Sequence, residues 1–295
     1  VTHFPARHYF INVWDHGSGW HALRLKSSSP GTFHPSDISW DDQTGNSIST
    51  HQLAQALKEA SKIIGHPVDL YASDACLMGM IEIASQVSQD VQIYAGSEEV
   101  EAGEGWPYDA ILERWARKPQ LSAAEVGQLL TEEFVQSYRE GSQNDPQNAT
   151  FAAYDLGKMN AVEQGLQELT EELLYLSPSD QAEVLHLAHE AQSFTYSDYR
   201  DLTDFVRLLR RSSLTALNQP KLQALETALG EMILAHDATP GYERALGMSI
   251  WLPTSLSLYQ KHIATYQTLS FHQKTSWGKL LSALLTHPET KSQEK

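Results

Sequence analysis

Val68-Asp69-Leu70-Tyr71-Ala72-Ser73 follows Pro67 and runs directly into Asp74-Ala75-Cys76, which carries the chain's single cysteine. The run is apolar, aromatic and β-branched and too short for a helix, so it predicts a buried strand. Upstream, Tyr9-Phe10-Ile11-Asn12-Val13-Trp14 reads the same way and closes on Asp15-His16-Gly17. Between them, Ser49 with Gln52 three residues on forms a capping box, and Leu53, Leu57, Ala60 and Ile64 repeat at helical spacing up to Gly65. Downstream, Leu77 to Ala84 reads as a helix and Val91 to Ala95 as a third strand. Alternating strand and helix predicts an α/β fold with a mainly parallel sheet and right-handed crossovers. Chemistry in open sheets gathers at the carboxyl ends of strands, where both His16 and Cys76 fall.

The rest of the chain is read around that core. A polar stretch, Lys26 to Gly31, followed by Trp40 to Asn46, predicts a long exposed loop after the His-bearing strand. Ser97 to Tyr108 is glycine-rich and acidic and predicts a binding loop. From Ser122 to about Ala235 the pattern is helical, with one strand near 149–154, and Met248 to Leu252 predicts a last strand of the sheet. The expected organisation is a catalytic core over 1–121, a mainly helical extension over 122–246, and a final strand with terminal helices over 247–295.

With 295 residues, 41% of them hydrophobic, the chain can bury a substantial core. A net charge of -16 argues against nucleic acid as a partner and favours cationic ligands. No apolar run is long enough to span a bilayer. One cysteine allows no internal disulfide and so indicates neither an oxidising nor a reducing compartment. His16, His21, Asp41 and Asp42 lack zinc-site spacing, which leaves no metal site expected, although the adjacent Asp41-Asp42 pair is of a kind that can serve calcium.

A thiol becomes a strong nucleophile as a thiolate, which a neighbouring imidazole or a helix amino terminus promotes. Cys76 is predicted at a strand-to-helix turn, with a helix from Leu77 aiming backbone N–H groups at the sulfur or at a developing oxyanion. His16 would protonate the leaving amine, and the Gly17 and Cys76 N–H groups would form an oxyanion hole, Gly17 having no side chain to obstruct the carbonyl.

Trp14-Asp15-His16-Gly17-Ser18-Gly19-Trp20, Trp40-Asp41-Asp42, Asp74-Ala75-Cys76-Leu77-Met78-Gly79 and Ser97-Glu98-Glu99 through Gly105-Trp106-Pro107-Tyr108 together resemble the clostripain-like cysteine peptidases, family C11 of the caspase-like clan CD. Tyr154-Asp155-Leu156, Asp201-Leu202 with Asp204-Phe205, and Gly247 to Pro253 extend the resemblance, in family order, over nearly the whole chain. The resemblance implies a caspase-like three-layer α/β sandwich and a cysteine endopeptidase with a His16/Cys76 dyad that needs no third carboxylate. It implies no required cofactor, although some relatives use calcium, and it favours a secreted or cell-envelope setting. It also implies cleavage after Arg or Lys at P1, with a peptide or protein as the partner.

A P1 cation must meet carboxylate. By the resemblance Asp74 is one pocket acid, and Glu104 is the first choice for the second, with Glu98, Glu99 and Glu101 as alternatives. Ser97 is expected to hold the substrate main chain in an added β-strand. Family members often cut themselves after a basic residue in the loop following the His-bearing strand, which points to Arg24 or Lys26. Relatives usually carry an amino-terminal segment supplying earlier strands, so an uncovered edge beside Tyr9 to Trp14 is expected to be completed by such a segment or by another chain. Two other readings remain at this stage: a non-basic (Asn) P1 preference, and a catalytically silent module that holds basic peptides in the acidic cleft.

Overall fold

The computed structural model describes residues 1, 3, 5–21, 38–41, 43–139 and 148–286. Five strands form the central sheet: β1 (Phe10–Trp14), β2 (Val68–Asp74), β3 (Val91–Gly96), β4 (Thr150–Asp155) and β6 (Ile233–Ala238), in the order β1-β2-β3-β4-β6. β1, β2 and β3 are mutually parallel, β4 runs against β3, and β6 runs against β4, so four of the five strands point the same way. β1 lies at one edge, and among the described residues nothing pairs with its outer side.

The first crossover forms where its caps predict it. Helix α1 (Thr50–Ile64) starts at Ser49, whose reciprocal bonds with Gln52 complete the capping box, and stops at Gly65 in the left-handed conformation. α2 (Ile81–Val87) is shorter and later than the sequence predicts, beginning four residues after Leu77. α3 (Tyr108–Ala116) follows the acidic loop, and α4 (Ala123–Arg139) precedes β4. Next come α5 (Met159–Leu174), α6 (Pro178–Glu190), β5 (Tyr199–Asp201), α7 (Leu202–Arg211) and α8 (Gln219–Met232). The chain closes through β7 (Ser249–Trp251), α9 (Leu256–Tyr266), α10 (Ser270–Thr275) and α11 (Trp277–Thr286).

Side-chain alternation divides the core in two. Leu70 and Ala72 of β2, Ile93 and Ala95 of β3, and Phe151 and Ala153 of β4 pack against Ile111 of α3 and the Val126 to Tyr138 face of α4. Tyr71, Tyr94, Ala152 and Tyr154 face the other way, into the core built with α1, α2, α5, α7, α8 and α11. The result is a helix–sheet–helix sandwich.

Two strand expectations need correction. Met248 to Leu252 does not close the central sheet: β7 pairs antiparallel with β5 in a separate two-stranded sheet, and Ser249 bridges it to Met80 of the crossover. The place at the far side of β4 is taken by β6, whose residues look helical in sequence. Its mixed composition, including His236 and Asp237, carries little strand signal, and pairing with β4 decides its conformation.

Two buried carboxyls set a pH dependence of stability. Burial raises Glu82 to about 7; its Oε1 accepts the Trp251 backbone N–H at 2.9 Å and the Tyr266 hydroxyl at 3.0 Å. Asp201 is likewise raised to about 7, chiefly by burial. An acid whose folded-state pKa lies above its unfolded value contributes stability that is complete below the unfolded value, near 4, and is lost as pH rises through the folded value. The midpoint of thermal unfolding is therefore expected to fall between pH 5 and pH 8, and Glu82→Gln should flatten the decline. A midpoint that stays level or rises over that interval in the wild type would contradict the assignment.

Candidate active site

β1 and β2 are in parallel register with Phe10 opposite Leu70 and Trp14 opposite Asp74, a constant offset of 60 (70 minus 10, 74 minus 14). His16 and Cys76 are separated by the same 60 positions, so each lies two residues beyond its strand, on neighbouring strands about 4.8 Å apart. The register continues past the strand ends through the Asp15 N–H, which donates to the Asp74 carbonyl at 3.3 Å.

Gly17 completes the juxtaposition. A Cβ there would lie 2.4 Å from the Cys76 carbonyl oxygen and 3.1 Å from its nitrogen, closer than any side chain is accommodated, so only glycine lets the two backbones approach this far. The N–H groups of Gly17 and of Cys76 itself are directed at the sulfur. Gly17→Ala is expected to force these backbones apart and lower kcat/KM about 100-fold, the effect of losing one oxyanion donor. Steady-state hydrolysis by the folded variant measures it, and near wild-type turnover would show that the close approach is dispensable.

Cys76 is half-buried, and its thiol donates to the Glu101 carbonyl at 3.7 Å. Burial pushes the thiol up, the Glu101 carboxylate adds to this, and the two backbone N–H groups oppose it. The turn is not the helix start that the sequence suggests. Leu77, buried, adopts a left-handed φ of 62°, and its N–H is already used by the Glu99 carbonyl at 3.1 Å. The N–H groups at the thiol therefore come from the β1 end and the turn, and α2 starts too late to contribute. His16 is exposed, and its segment is clasped by Ile38 and Ser39, with the Ser39 N–H donating to the His16 carbonyl at 3.0 Å. Among the described residues no hydrogen bond orients its imidazole.

Asp74 is 3% exposed at the end of β2. Its Oδ2 accepts the Tyr108 hydroxyl at 2.6 Å, and that hydroxyl in turn accepts the Asn12 side-chain N–H at 2.8 Å. Glu101, 8% exposed, turns inward to face Asp74. Burial raises both carboxyls, Glu101 strongly so, because Asp74 lies against it. Glu104, the acid first assigned beside Asp74, is exposed on the same loop. Its charge, with those of Glu101 and Asp74, still reaches the Tyr138 phenol, so the three acids share a neighbourhood.

Ser97 and Glu98 do not line this cleft. Ser97 is fully buried, its hydroxyl donating to the Glu99 carbonyl at 2.9 Å. Glu98 is buried near Asp201 and accepts the Gly247 N–H at 3.1 Å, and burial, then the charge of that second acid, push its carboxyl well above the usual range. Glu99 ties together distant loops, accepting the Thr195 N–H at 3.0 Å and the Tyr242 hydroxyl at 2.5 Å. Composition shows four carboxylates on this loop but not which ones turn inward. Arg24, Lys26 and Asp42 lie outside the described residues. Asp41 closes a local turn, accepting the Gln43 N–H at 2.9 Å and the Thr44 hydroxyl at 2.5 Å. Among the described residues no three His, Cys, Asp or Glu side chains gather as a metal site.

Tyr196 is a residue in electrostatic reach of the thiol that sequence reasoning missed. Burial first, then the charge of Cys76, push its phenol up to about 12, so the ring, on the loop before β5, lies within electrostatic reach of the sulfur. It lies 120 positions from Cys76, and no local pattern marks it.

The family model for the clostripain family matches residues 1–283. Among solved structures, a secreted C11 cysteine protease from Bacteroides thetaiotaomicron in complex with an irreversible peptide inhibitor superposes with a TM-score of 0.68 at 16% identity, covering 94% of this chain and 74% of that one. An inactive zymogen C11 protease from Parabacteroides distasonis gives 0.62 at 17% identity, covering 93% and 72%. A clostripain from Bacteroides thetaiotaomicron in complex with the peptide inhibitor BTN-VLTK-AOMK gives 0.60 at 15% identity, covering 81% and 99%. No curated protein sequence matches the chain. At these identities the structural likeness speaks for the fold, and the family match over most of the chain speaks for cysteine-peptidase chemistry. The chain belongs to the clostripain family, C11, of the caspase-like clan, and is a cysteine endopeptidase.

Proposed function

We propose that the enzyme cleaves peptide bonds after Arg or Lys, using Cys76 as nucleophile and His16 as proton donor. The observation that carries the dyad is the common 60-residue offset of the β1–β2 register and of the His16–Cys76 pair. The basic preference is supported by the buried Asp74 carboxyl two residues before the nucleophile, in a chain of net charge -16. The inhibitor held by the Bacteroides thetaiotaomicron clostripain, whose peptide part ends in lysine, is consistent with the same preference.

In the reaction the Cys76 sulfur attacks the scissile carbonyl, and the oxyanion is met by the N–H groups of Gly17 and Cys76. His16 delivers the proton to the leaving amine as the C–N bond breaks. Water then adds to the thioester, with His16 accepting its proton, and the acid product and free thiol are released. Hydrolysis of reporters that differ only at P1 tests the reading: Arg and Lys reporters should be turned over and Asn and Asp reporters left nearly untouched. Equal rates on all four would overturn it.

The same specificity supports self-cleavage after Arg24 or Lys26. Intact mass of fresh and aged protein detects it, and an unbroken chain at full activity would refute it.

A further inference from the structure

The turn that carries His16 and Gly17 is tied down from a distant part of the chain. His16 is exposed and among the described residues no hydrogen bond orients its imidazole, so the course of its backbone sets where the ring stands. On one side that backbone is held by Ser39, whose N–H donates to the His16 carbonyl at 3.0 Å, and by the bridge between Gly17 and Ile38. On the other side the tie is Tyr199 of β5. One residue beyond Gly17, the Ser18 carbonyl accepts the Tyr199 hydroxyl at 2.8 Å across 181 positions of sequence, and both residues are buried. The Ser18 hydroxyl closes the turn by donating to the His21 carbonyl at 3.0 Å.

The fit around this bond is close. Gly19 has a left-handed φ of 77°, and a Cβ there would lie 2.6 Å from both the Tyr199 hydroxyl and the Met80 sulfur, so only glycine lets the turn pass between them. Trp20 is buried edge-on against Trp251 and Tyr266, with ring centroids 5.1 Å and 4.9 Å away. His21 stacks on His262 of α9 at 4.1 Å, and its Nε2 lies 3.4 Å from the Asp198 carboxylate, which also accepts the Trp251 indole N–H at 3.0 Å. Tyr199 itself is fixed by pairing with Trp251 of β7 and by its N–H, which donates to the Tyr196 carbonyl at 2.9 Å. The Ser-Gly-Trp-His run after Gly17 is thus gripped by β5, β7 and α9, elements that hold neither member of the dyad.

We propose that Tyr199 is a positioning residue of the peptidase: its hydroxyl, through the Ser18 carbonyl, holds the turn in the place from which the His16 imidazole reaches the leaving amine. A buried carbonyl deprived of a donor is destabilised, so a turn that loses this hydroxyl gains by shifting, and His16 shifts with it. The Tyr199 ring, 5.2 Å from that of His21 and 5.7 Å from that of Tyr196, packs the same way with or without its oxygen, so Tyr199→Phe removes the tie and keeps the packing. Expulsion of an amine needs a proton delivered in the transition state, whereas a nitrophenolate leaves without one. A misplaced His16 therefore slows cleavage of an amide far more than cleavage of an activated ester with the same acyl part.

This inference rests on the proton-donor reading of His16, and the test separates the two. A peptide that the wild type accepts is supplied as an anilide and as a nitrophenyl ester, and kcat/KM, which covers the steps through acylation, is compared as an anilide-to-ester ratio. Effects on oxyanion binding and on P1 recognition fall on both reporters and cancel. Tyr199→Phe is expected to lower the ratio about 10-fold, through kcat on the anilide with KM changed less than about twofold. His16→Ala should lower it about 100-fold or more. Adding Tyr199→Phe to His16→Ala should lower it no further, because both act through one group. Tyr266→Phe is the control for stability: it removes a buried hydroxyl that donates to Glu82 at 3.0 Å, keeps its ring against Trp20, and should lower the midpoint of thermal unfolding without moving the ratio. A wild-type ratio in Tyr199→Phe, equal losses on both reporters, a further fall on top of His16→Ala, or the same fall in Tyr266→Phe would overturn the proposal while leaving His16 in its role. A wild-type ratio in His16→Ala would instead remove the proton-donor reading itself.

Discussion

Replacing Cys76 by alanine is expected to lower kcat by about 10^4-fold or more on any reporter the wild type cleaves, the scale of losing a covalent nucleophile. The loss should not come from unfolding. Cys76 is only half-buried, its thiol donates one long hydrogen bond, at 3.7 Å to the Glu101 carbonyl, and the turn around it is held by backbone bonds such as Leu77 N–H to Glu99 carbonyl. Thermal unfolding of the variant should match the wild type closely, and a thiol-directed peptide electrophile that labels the wild type should leave the variant unlabelled. The alanine variant should also keep its full-length mass on ageing if self-cleavage uses this thiol. Hydrolysis undiminished in Cys76→Ala would remove this residue from the chemistry.

Asp74→Asn is expected to lower kcat/KM on Arg and Lys reporters by about 100- to 1000-fold, as truncating one partner of a buried charge pair does, with a much smaller change on an Asn reporter. The amide keeps an oxygen to accept the Tyr108 hydroxyl, so the geometry survives while the charge is lost. The P1 reporter panel measures both effects. A uniform loss across P1 residues would show instead that Asp74 acts on the position of Cys76, two residues away on the same turn.

Much of this architecture is legible before folding. Ser49 with Gln52 and Gly65 bracket α1 because a capping box and a left-handed glycine are local devices. Tyr9 to Trp14 and Val68 to Ser73 show as strands because a buried parallel strand is a nearly continuous apolar run. β5 and β6 are not legible, since three residues of β5 and the mixed sequence of β6 carry little signal of their own and are extended only because β7 and β4 pair with them. The helical reading after Cys76 errs for a related reason. Leu77 to Met80 have helical periodicity, but the turn is held open by bonds to the 97–99 segment, and α2 begins only at Ile81.

The same division runs through the site. His16, Gly17 and Cys76 are fixed by residue type and a spacing of 60, because a parallel register converts sequence offset directly into proximity. The roles of Ser97, Glu98, Glu99, Glu101 and Glu104 are not, because an irregular loop has no period from which to infer which side chains point inward. Folding decides that Glu101 meets Asp74, that Glu98 meets Asp201, and that Tyr108 and Asn12 brace the pocket, since each pairing depends on elements far apart in the chain. Residue identity and local pattern establish the chemistry and its scaffold, whereas which carboxylates are buried, and so which can recognise a cation, is set by long-range packing that burial and charge repulsion enforce together.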